Sequence, residues 1–379
     1  MNSLGVYFGP GLISIVESKG KKMLNSIQIP RSNLNSGSAE EKVPDELKMV
    51  ALLKDELRKN NITSDKACVT LAGKELIIRT FEMPVLPHSE IQASVNFEAR
   101  KYIPFKIEEL VLSYQIFYDR STKKNLVLLV GIKKEVMDKY LSIFNQLEQK
   151  IISLEYSAFS ILRFFKLSQA KTGGIIAAVS LDMNEQDEVN FMVLQNGFPL
   201  FSRDIILTDE TLPESSQPAN LDPAQMLEKI KAELRISLDF YRRKFPTKNI
   251  NRIVILAPEE FHSDIEAFVK ERNTPCQFID YKKCVGKPVP YSSSTFKAFG
   301  NSLAQAVNTG IKIDLLDAKE KDKVKAAQAS LPLSAVKNLN LAEILKIDFK
   351  VVALAVLICV FTFIYGLYQK LPLQKEINS

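Results

Sequence analysis

The sequence predicts an α/β protein: a duplicated, two-lobed domain with a small α+β insertion, followed by one transmembrane helix. Three observations predict this fold class. Two parts of the chain open with similar strand-rich segments, GVYFGPGLISIVE and GGIIAAVSLDMN, strands alternate with helices in each half, and one long uncharged run lies near the C-terminus. Because 379 residues exceed the usual size of a single core, two or more lobes are expected.

The repeated openings divide the predicted domain, residues 1–308, into a first half at 1–170 and a second half at 171–308. In the first half, the strand patterns ACVTLAG, ELIIRTFEMP, LVLSYQIFYD and LVLLVGIKK alternate with helical patterns near Ser89–Lys101 and Lys134–Gln149. These patterns indicate an α+β insertion at about 65–150.

A long helix is predicted in the second half, with Asp222 as its N-cap and Pro223 at its first position. Its apolar residues keep the spacing of one buried face, and they are Leu227, Ile230, Leu234, Leu238 and Tyr241. A strand at RIVILAP and a helix at about Glu259–Glu271 are expected to follow.

Composition and charge exclude several classes of protein. Apolar residues make up 46% and charged residues 25%, which are ordinary globular values and argue against a polytopic membrane protein. The net charge of +6 is spread along the whole chain, so a nucleic-acid partner is not predicted. The cysteines follow no CxxC spacing, and neither His88 nor His262 has an acid or nucleophile at motif spacing, so metal and catalytic sites are not predicted.

The run VVALAVLICVFTFIYGL carries no charge and covers roughly 26 Å as a helix, which predicts a membrane span at 349–368. Residues 309–348 before it are predicted to be a charged linker, and residues 369–379 a short periplasmic tail. Lysines are more frequent before the run than after it, which places the N-terminal domain in the cytoplasm. The N-terminus has no secretory signal pattern. A single-pass protein of the bacterial inner membrane is expected.

Several sequence blocks carry a family resemblance. They are the opening strands, FEMPVLPHSEIQASVNFEARKYIPFKIEELVLSYQIF, NGFPLFSRDI, ELRISLDFY and AFGNSLAQAV. With them, the chain resembles the PilM family of type IV pilus assembly over roughly Leu4 to Val307. Glu98, Tyr102, Pro104 and Phe105 match the E…YIPF pattern of that family. The next segment, IKIDLLDAKEKDK, is similar to the N-terminal tail of PilN, and the layout is similar to GspL of type II secretion.

The resemblance implies an actin-like (ASKHA) fold, whose cleft in nucleotide-binding members holds phosphates with two glycine-containing hairpins and a metal with an acidic residue. The first hairpin keeps Gly9 and Gly11 but has Tyr7 where the family pattern carries aspartate. Backbone N–H groups at glycines hold the phosphates in such hairpins, so departures from the pattern weaken the site.

The second hairpin and the adenosine end depart further from the nucleotide-binding pattern. Ser180-Leu181-Asp182 replaces Asp-Ile-Gly, and Ala257-Pro258 replaces Gly-Gly. Asp182 is the one nearby carboxylate that could face magnesium, and a solvated turn is the alternative for it. The cleft is therefore predicted to be degenerate, with no enzymatic turnover and no cofactor, and Mg-ATP binding is disfavoured.

The tail segment allows two interpretations. The resemblance implies a groove beside the insertion in which Ile313, Leu315 and Leu316 are buried while the extended backbone pairs with the domain. Alternatively, IDLL is the final strand of the domain. Glu98, Tyr102, Pro104 and Phe105 are candidate contact residues for a partner or tail, but the turn at Tyr102–Phe105 is better explained as a core turn that ends a helix, since Pro104 disfavours helical geometry at Ile103.

The predicted function is a non-catalytic scaffold of a type IV pilus or type II secretion platform. The implied partners are PilN- and PilO-like membrane proteins and the cytoplasmic motor ATPase, and self-association is left open. The alternative is a nucleotide-responsive actin-like ATPase, including an FtsA-like membrane-tethered filament protein.

Overall fold

The computed structural model describes residues 2–34, 44–170, 173–183, 187–207 and 222–319, all within the unit Met1–Lys321. The predicted membrane helix at 349–368, the tail at 369–379 and the linker beyond residue 319 lie outside these residues. Within the described ranges, no helix combines the length and the apolar character that a bilayer crossing requires.

Strands and helices alternate along the described chain as the sequence patterns predict. The strands are β1 (Asn2–Phe8), β2 (Leu12–Lys19), β3 (Lys22–Pro30), β4 (Lys66–Leu71), β5 (Ile77–Met83), β6 (Leu110–Asp119), β7 (Lys124–Lys133), β8 (Lys150–Tyr156), β9 (Ile175–Ser180), β10 (Glu188–Gln195), β11 (Phe198–Ile206), β12 (Arg252–Leu256) and β13 (Cys276–Phe278). The helices are α1 (Asp45–Lys59), α2 (His88–Ala99), α3 (Lys134–Gln146), α4 (Ser157–Leu167), α5 (Pro223–Lys244), α6 (His262–Lys270), α7 (Tyr281–Val285) and α8 (Ser293–Ser302).

Two five-stranded sheets with the same strand order form the two lobes. The first lobe has the order β3-β2-β1-β4-β8, and the second has β11-β10-β9-β12-β13. In each sheet the first three strands are an antiparallel meander and the last two join in parallel. The duplication predicted from the two similar openings is therefore confirmed.

A separate three-stranded sheet, in the order β5-β7-β6, carries α2 on one face. Val95, Ala99 and Ile103 from α2 and its C-terminal turn pack against that face. This sheet begins at Ile77, later than the predicted start near residue 65, because β4 belongs to the first-lobe sheet, where its residues after Lys66 are all buried. A strand covered on both faces is typical of a central parallel position.

Helix α5 begins at Pro223 behind Asp222, as predicted, although Asp222 makes no side-chain cap hydrogen bond to the described residues. The predicted buried face of this helix is confirmed, since Leu227, Ile230, Leu234, Leu238 and Tyr241 are all buried. The helix covers its own lobe and ends beside the start of β12.

Helix α8 returns from the second lobe to the first and packs against β1, β2 and α4. The backbones are very close: a Cβ at Gly5 would lie 2.0 Å from the Ala298 carbonyl oxygen, and one at Gly300 would lie 2.0 Å from that of Ser160. Glycine is required at both positions because no side chain fits between these backbones. All ten residues of α8 are buried, so the helix is a core element shared by both lobes.

The three-stranded sheet also contacts the second lobe. Lys248 donates to Asp119 at the end of β6 over 2.6 Å, and the Phe117 and Phe198 rings stack with centroids 5.1 Å apart. Burial opposes ionisation of Asp119, but hydrogen bonds from Lys248 and Ser121 lower its pKa to about 2. The insertion is thus fixed to both lobes.

Candidate functional site

Side chains of the two lobes meet at Tyr7. Tyr7 lies near the end of β1 and is fully buried, and its hydroxyl donates to Asp187, immediately before β10. The Tyr7 ring lies against the first hairpin, where a Cβ at Gly9 would come within 2.8 Å of its Cε1 atom. The side chain that replaces the expected aspartate therefore fills the inner side of the hairpin.

Lys297 of α8 takes part in the same contact. Its Nζ donates to Asp187 Oδ2 at 2.8 Å and to the Glu188 carbonyl at 3.0 Å, and the side chain is 0% exposed. Asp187 accepts four hydrogen bonds in all, from Tyr7, Ser293, Lys297 and the Glu188 amide. Each oxygen of the buried Asp187 carboxylate therefore accepts two hydrogen bonds, so its acceptor sites are all occupied.

Glu188 connects the second lobe to the end of β4 in the first. One carboxylate oxygen accepts from the Gly73 amide at 2.8 Å, and the other accepts from the Ser157 hydroxyl. Burial raises the pKa of Glu188, although the nearby Lys297 ammonium opposes the change. The Glu188 Oε1 to Lys297 Nζ distance is 3.9 Å.

Asp204 on β11 completes the polar cluster. It accepts from the Tyr156 hydroxyl at 2.5 Å and from the Asn190 amide at 2.7 Å, and its Oδ2 lies close to Gly73, where a Cβ would be 1.7 Å away. Burial and the neighbouring Glu188 carboxylate raise the pKa of Asp204 to about 8. We define Tyr7, Tyr156, Asp187, Glu188, Asp204 and Lys297 as the interlobe cluster.

The raised pKa of Asp204 predicts that stability falls as the pH rises. The folded state holds a proton on this group up to about pH 8, whereas the unfolded state loses it near 3.8, so the stabilisation is complete below pH 4 and lost towards pH 8. Asp204→Asn should remove most of this dependence, which we expect to amount to a few kcal/mol, roughly. Denaturant unfolding at several pH values measures it, with the exposed Asp264→Asn as the matched control. A parallel decline in the Asp204→Asn chain would contradict the assignment.

Asp182, the candidate magnesium-facing residue, lies in the turn of the second hairpin. It is 4% exposed, and its Oδ2 accepts from the Asp187 amide at 3.0 Å. The interpretation as a solvated residue is wrong, because the carboxylate is buried and bonded to the backbone of Asp187. Gly11 lies at the tip of the first hairpin, where its carbonyl accepts from the Arg31 amide at 2.8 Å.

The two histidines lie outside the interlobe cluster. His88 is exposed at the start of α2. His262 is partly buried, since its ring stacks on Phe278 with centroids 3.9 Å apart. In the part of the chain that the structure describes, no group of His, Cys, Asp and Glu residues has an arrangement that could hold a metal ion.

The tail at 308–319 docks on the first lobe and the insertion. The Gln115 side chain on β6 forms two hydrogen bonds with the tail backbone: it donates to the Gly310 carbonyl at 2.9 Å and accepts from the Lys312 amide at 2.7 Å. Asp314 Oδ1 accepts from the Leu154 amide of β8 at 3.0 Å and from the Leu316 amide at 2.9 Å. Lys166 donates to the Asn308 carbonyl at the start of the tail.

Apolar burial accompanies these hydrogen bonds. Ile313 is 3% exposed and Leu315 0%, while Leu316 is partly buried against the same core. Residues 311–314 join no sheet and residues 315–319 are helical, so the final-strand interpretation is wrong. The reason is that Gln115 and Asp314 satisfy the tail backbone through side chains, so no strand ladder is needed.

The other candidate contact residues lie away from the tail. Ile103 is buried against α2, but Tyr102 and Phe105 are 46% and 40% exposed, Pro104 is exposed, and Glu98 pairs with Lys101. Along β6, even-numbered residues face α2, whereas Phe117 and Val111 face the main core. Gln115 is odd-numbered like Val111 and Phe117, so its side chain lies on their face of the strand. The tail and the turn at Tyr102 therefore contact opposite faces of the three-stranded sheet.

Sequence reasoning missed Asp187, Glu188, Asp204 and Lys297. Lys297 lies 110 residues from Asp187, and no local pattern joins them. One signal was available: a lysine between Phe296 and Phe299, in a helix segment with no other charge, is costly unless a carboxylate meets it.

Comparisons with known proteins agree with this architecture. The profile of the family described as "Type IV pilus assembly protein PilM" matches residues 5–212. A solved chain from a "PilM-PilN type IV pilus biogenesis complex" has a TM-score of 0.56 at 18% identity, covering 80% of this chain and 96% of that one. At this identity the likeness shows the fold, which is the actin-like two-lobed α/β arrangement predicted above.

Two further solved structures are more distant. The cytoplasmic domain of EpsL, an inner-membrane component of the type II secretion system of Vibrio cholerae, has a TM-score of 0.44 at 10% identity and covers 83% of this chain and 98% of its own. A Bacteroides thetaiotaomicron protein with an actin-like ATPase fold and unknown function has a TM-score of 0.41 at 8% identity, covering 75% and 95%.

Proposed function

Because this chain belongs to the PilM family of type IV pilus assembly proteins, we propose that it is a non-catalytic scaffold in the inner-membrane platform of a type IV pilus or type II secretion system. One observation carries the non-catalytic part of the proposal. The contact between the two hairpins is occupied by the chain's own Tyr7 and Lys297 side chains, which are both 0% exposed.

The residues of the interlobe cluster do not fit a magnesium nucleotide. Asp187 already binds Lys297, Ser293 and Tyr7, so it cannot serve a metal without losing a buried ion pair. At the adenosine end, Pro258 supplies no N–H donor, and the Ala257 carbonyl is within hydrogen-bond distance of His262. We propose that the cleft binds no cofactor and that the hydrogen bonds across it stabilise a fixed arrangement of the lobes.

The tail supports a PilN-like role within the same chain. We propose that residues 308–319 occupy the position that a PilN-like partner's tail takes, and that the following linker leads to the membrane helix predicted at 349–368. The docked tail, with Leu315 fully buried, supports this arrangement. The domain would then lie on the cytoplasmic face of the inner membrane, where PilN- and PilO-like proteins and the motor ATPase are its proposed partners.

Calorimetric titration of the full chain with Mg-ATP tests the proposal. We expect no magnesium-dependent binding in the micromolar range, because binding would require the Lys297 ion pair to open. A micromolar, magnesium-dependent isotherm would instead favour a nucleotide-responsive ATPase. Filaments in negative-stain images that form only with Mg-ATP would favour the FtsA-like alternative.

A further inference from the structure

A cavity of about 420 Å³ lies in the second lobe, away from the interlobe cluster. It is formed by the C-terminal end of α5, the segment before β12 and the segment after α6. Ile253, near the start of β12, lines it, whereas Leu256 at the other end of that strand accepts from Leu181 beside the cluster. The cavity is therefore a separate site, and its volume is that of a small-molecule pocket.

The cavity has cationic and apolar walls. Arg242, Lys248 and Arg272 supply three cations, and Leu238, Tyr241 and Phe245 supply apolar and aromatic surface. Carboxylates are absent from the residues that line this cavity, all of which belong to the described chain. Lys248 is neutralised by Asp119, so the uncompensated charge comes from the two arginines.

The arginines are arranged in a way that helix capping alone does not explain. Arg272 follows α6 and donates to the Phe268 carbonyl at 2.5 Å, an ordinary use of a cation at a helix C-terminus. Its side chain is only 12% exposed, however, and its acidic neighbour Glu271 is 3.7 Å away and 68% exposed. Burial and the nearby Arg235 and Arg242 guanidinium groups lower the pKa of Arg272. Asp239 and Glu271 partly offset this repulsion from outside the cavity.

Arg242 adds a second, unengaged guanidinium group. Among the described residues it has neither a hydrogen-bond nor an ion-pair partner, although Arg243, the next residue along, donates to the Asp239 carbonyl. Phe268 stacks on Arg272 at 3.9 Å and fixes the plane of that guanidinium. Two guanidinium groups around one cavity suit an oxyanion, because their planar N–H forks match its geometry and an anion between them removes their repulsion.

We propose that this cavity binds a phosphate group, either as free phosphate or as part of a small phosphorylated molecule whose organic body lies against Tyr241 and Phe245. The site is independent of magnesium and of the interlobe cluster. The proposed scaffold function does not require this phosphate site, so the site would give the scaffold a small-molecule ligand.

Titration of the full chain with inorganic phosphate and with AMP, both without magnesium, tests this site. We expect binding of at least one probe, weakened about tenfold or more by Arg242→Ala and by Arg272→Ala and unchanged by Arg243→Ala. Tighter binding of AMP identifies a phosphorylated molecule as the ligand, whereas equal or tighter binding of phosphate identifies the free anion. Each bound probe should also raise the melting temperature.

The proposal is wrong if neither probe binds at about 1 mM, or if both arginine variants bind like the parent chain. Should Arg272→Ala fail to fold, Arg242→Ala decides, because Arg242 is exposed and makes no bond that folding needs. The Mg-ATP titration is repeated on Arg242→Ala: an isotherm that disappears there belongs to this cavity, and one that persists belongs to the interlobe cleft.

Discussion

Lys297→Met is expected to lower the free energy of unfolding by about 3–5 kcal/mol, the usual cost of removing one partner of a buried ion pair. Methionine preserves the volume and most of the apolar stem, so packing around α8 changes little. Asp187 loses the one cationic partner that it has among the described residues, and it remains 1% exposed with its charge uncompensated. The interlobe cluster then holds excess negative charge, because Glu188 also lies within 3.9 Å of the missing ammonium.

Denaturant unfolding of the purified chain measures this loss. Lys270→Met is the matched control, since the Lys270–Glu266 pair has a similar length of 3.0 Å but the lysine side chain is 72% exposed. Exposed pairs contribute about 0–1 kcal/mol, so this control should stay near the parent. Comparing the two variants shows how much of the loss in unfolding free energy depends on the burial of the ion pair, because both variants remove a lysine from a pair of similar length.

A double variant identifies the origin of the loss. Lys297→Met with Asp187→Asn removes both charges, so it should recover part of the stability that the single variant loses. No recovery would show that the loss comes from packing or from the lost bond to the Glu188 carbonyl. A single variant within 1 kcal/mol of the parent would show that the ion pair does not hold the lobes together.

The repeated sheets could be predicted from the sequence because their signals are local. Each half opens with three apolar strands that are consecutive in sequence and pair with their sequence neighbours in an antiparallel meander. The start of helix α5 and the main residues of its buried face could be predicted, because one buried face follows directly from the 3.6-residue period. Predicting the extent of the insertion was harder, since the pattern of β4 does not show which sheet it joins.

The interlobe cluster could be predicted only in part. The replacement of aspartate by Tyr7 is visible in the hairpin pattern, and it correctly draws attention to this turn. What Tyr7 binds depends on Asp187 and Lys297, which reach it from 180 and 290 residues away. Such long-range partners follow from the closure of the lobes and have no local sequence pattern.

Leu315→Asp is expected to release the tail at 308–319 from the domain. Leu315 is 0% exposed, so losing its burial alone costs about 2–5 kcal/mol, and a carboxylate in its place must be hydrated or protonated. The remaining attachments include the hydrogen bonds to Gln115 and Leu154, those made by Lys166 and Lys319, and the burial of Ile313. Those bonds exchange readily with water, so they do not hold the tail once its apolar anchor is lost.

Limited proteolysis with trypsin, followed by mass spectrometry, measures the release at Lys312. In the parent chain the Lys312 amide is held by Gln115, so cleavage there should be slow. In Leu315→Asp it should be faster by about tenfold or more, because local opening sets the cleavage rate. The control is Leu47→Asp in α1, where the leucine is 48% exposed. Equal cleavage of Leu315→Asp and the control would show that the tail is not held by this contact.

A peptide with the sequence of residues 308–319 then separates a docked tail from an ordinary core segment. If the segment is a docked tail, the Leu315→Asp domain keeps its circular dichroism spectrum and melting temperature, and the added peptide binds the vacated groove. If the segment is part of the core, the variant loses stability as a whole and the peptide does not restore it. Peptide binding abolished by Gln115→Ala would show that the groove recognises the peptide backbone through this side chain, in agreement with the proposed PilN-like role of the tail.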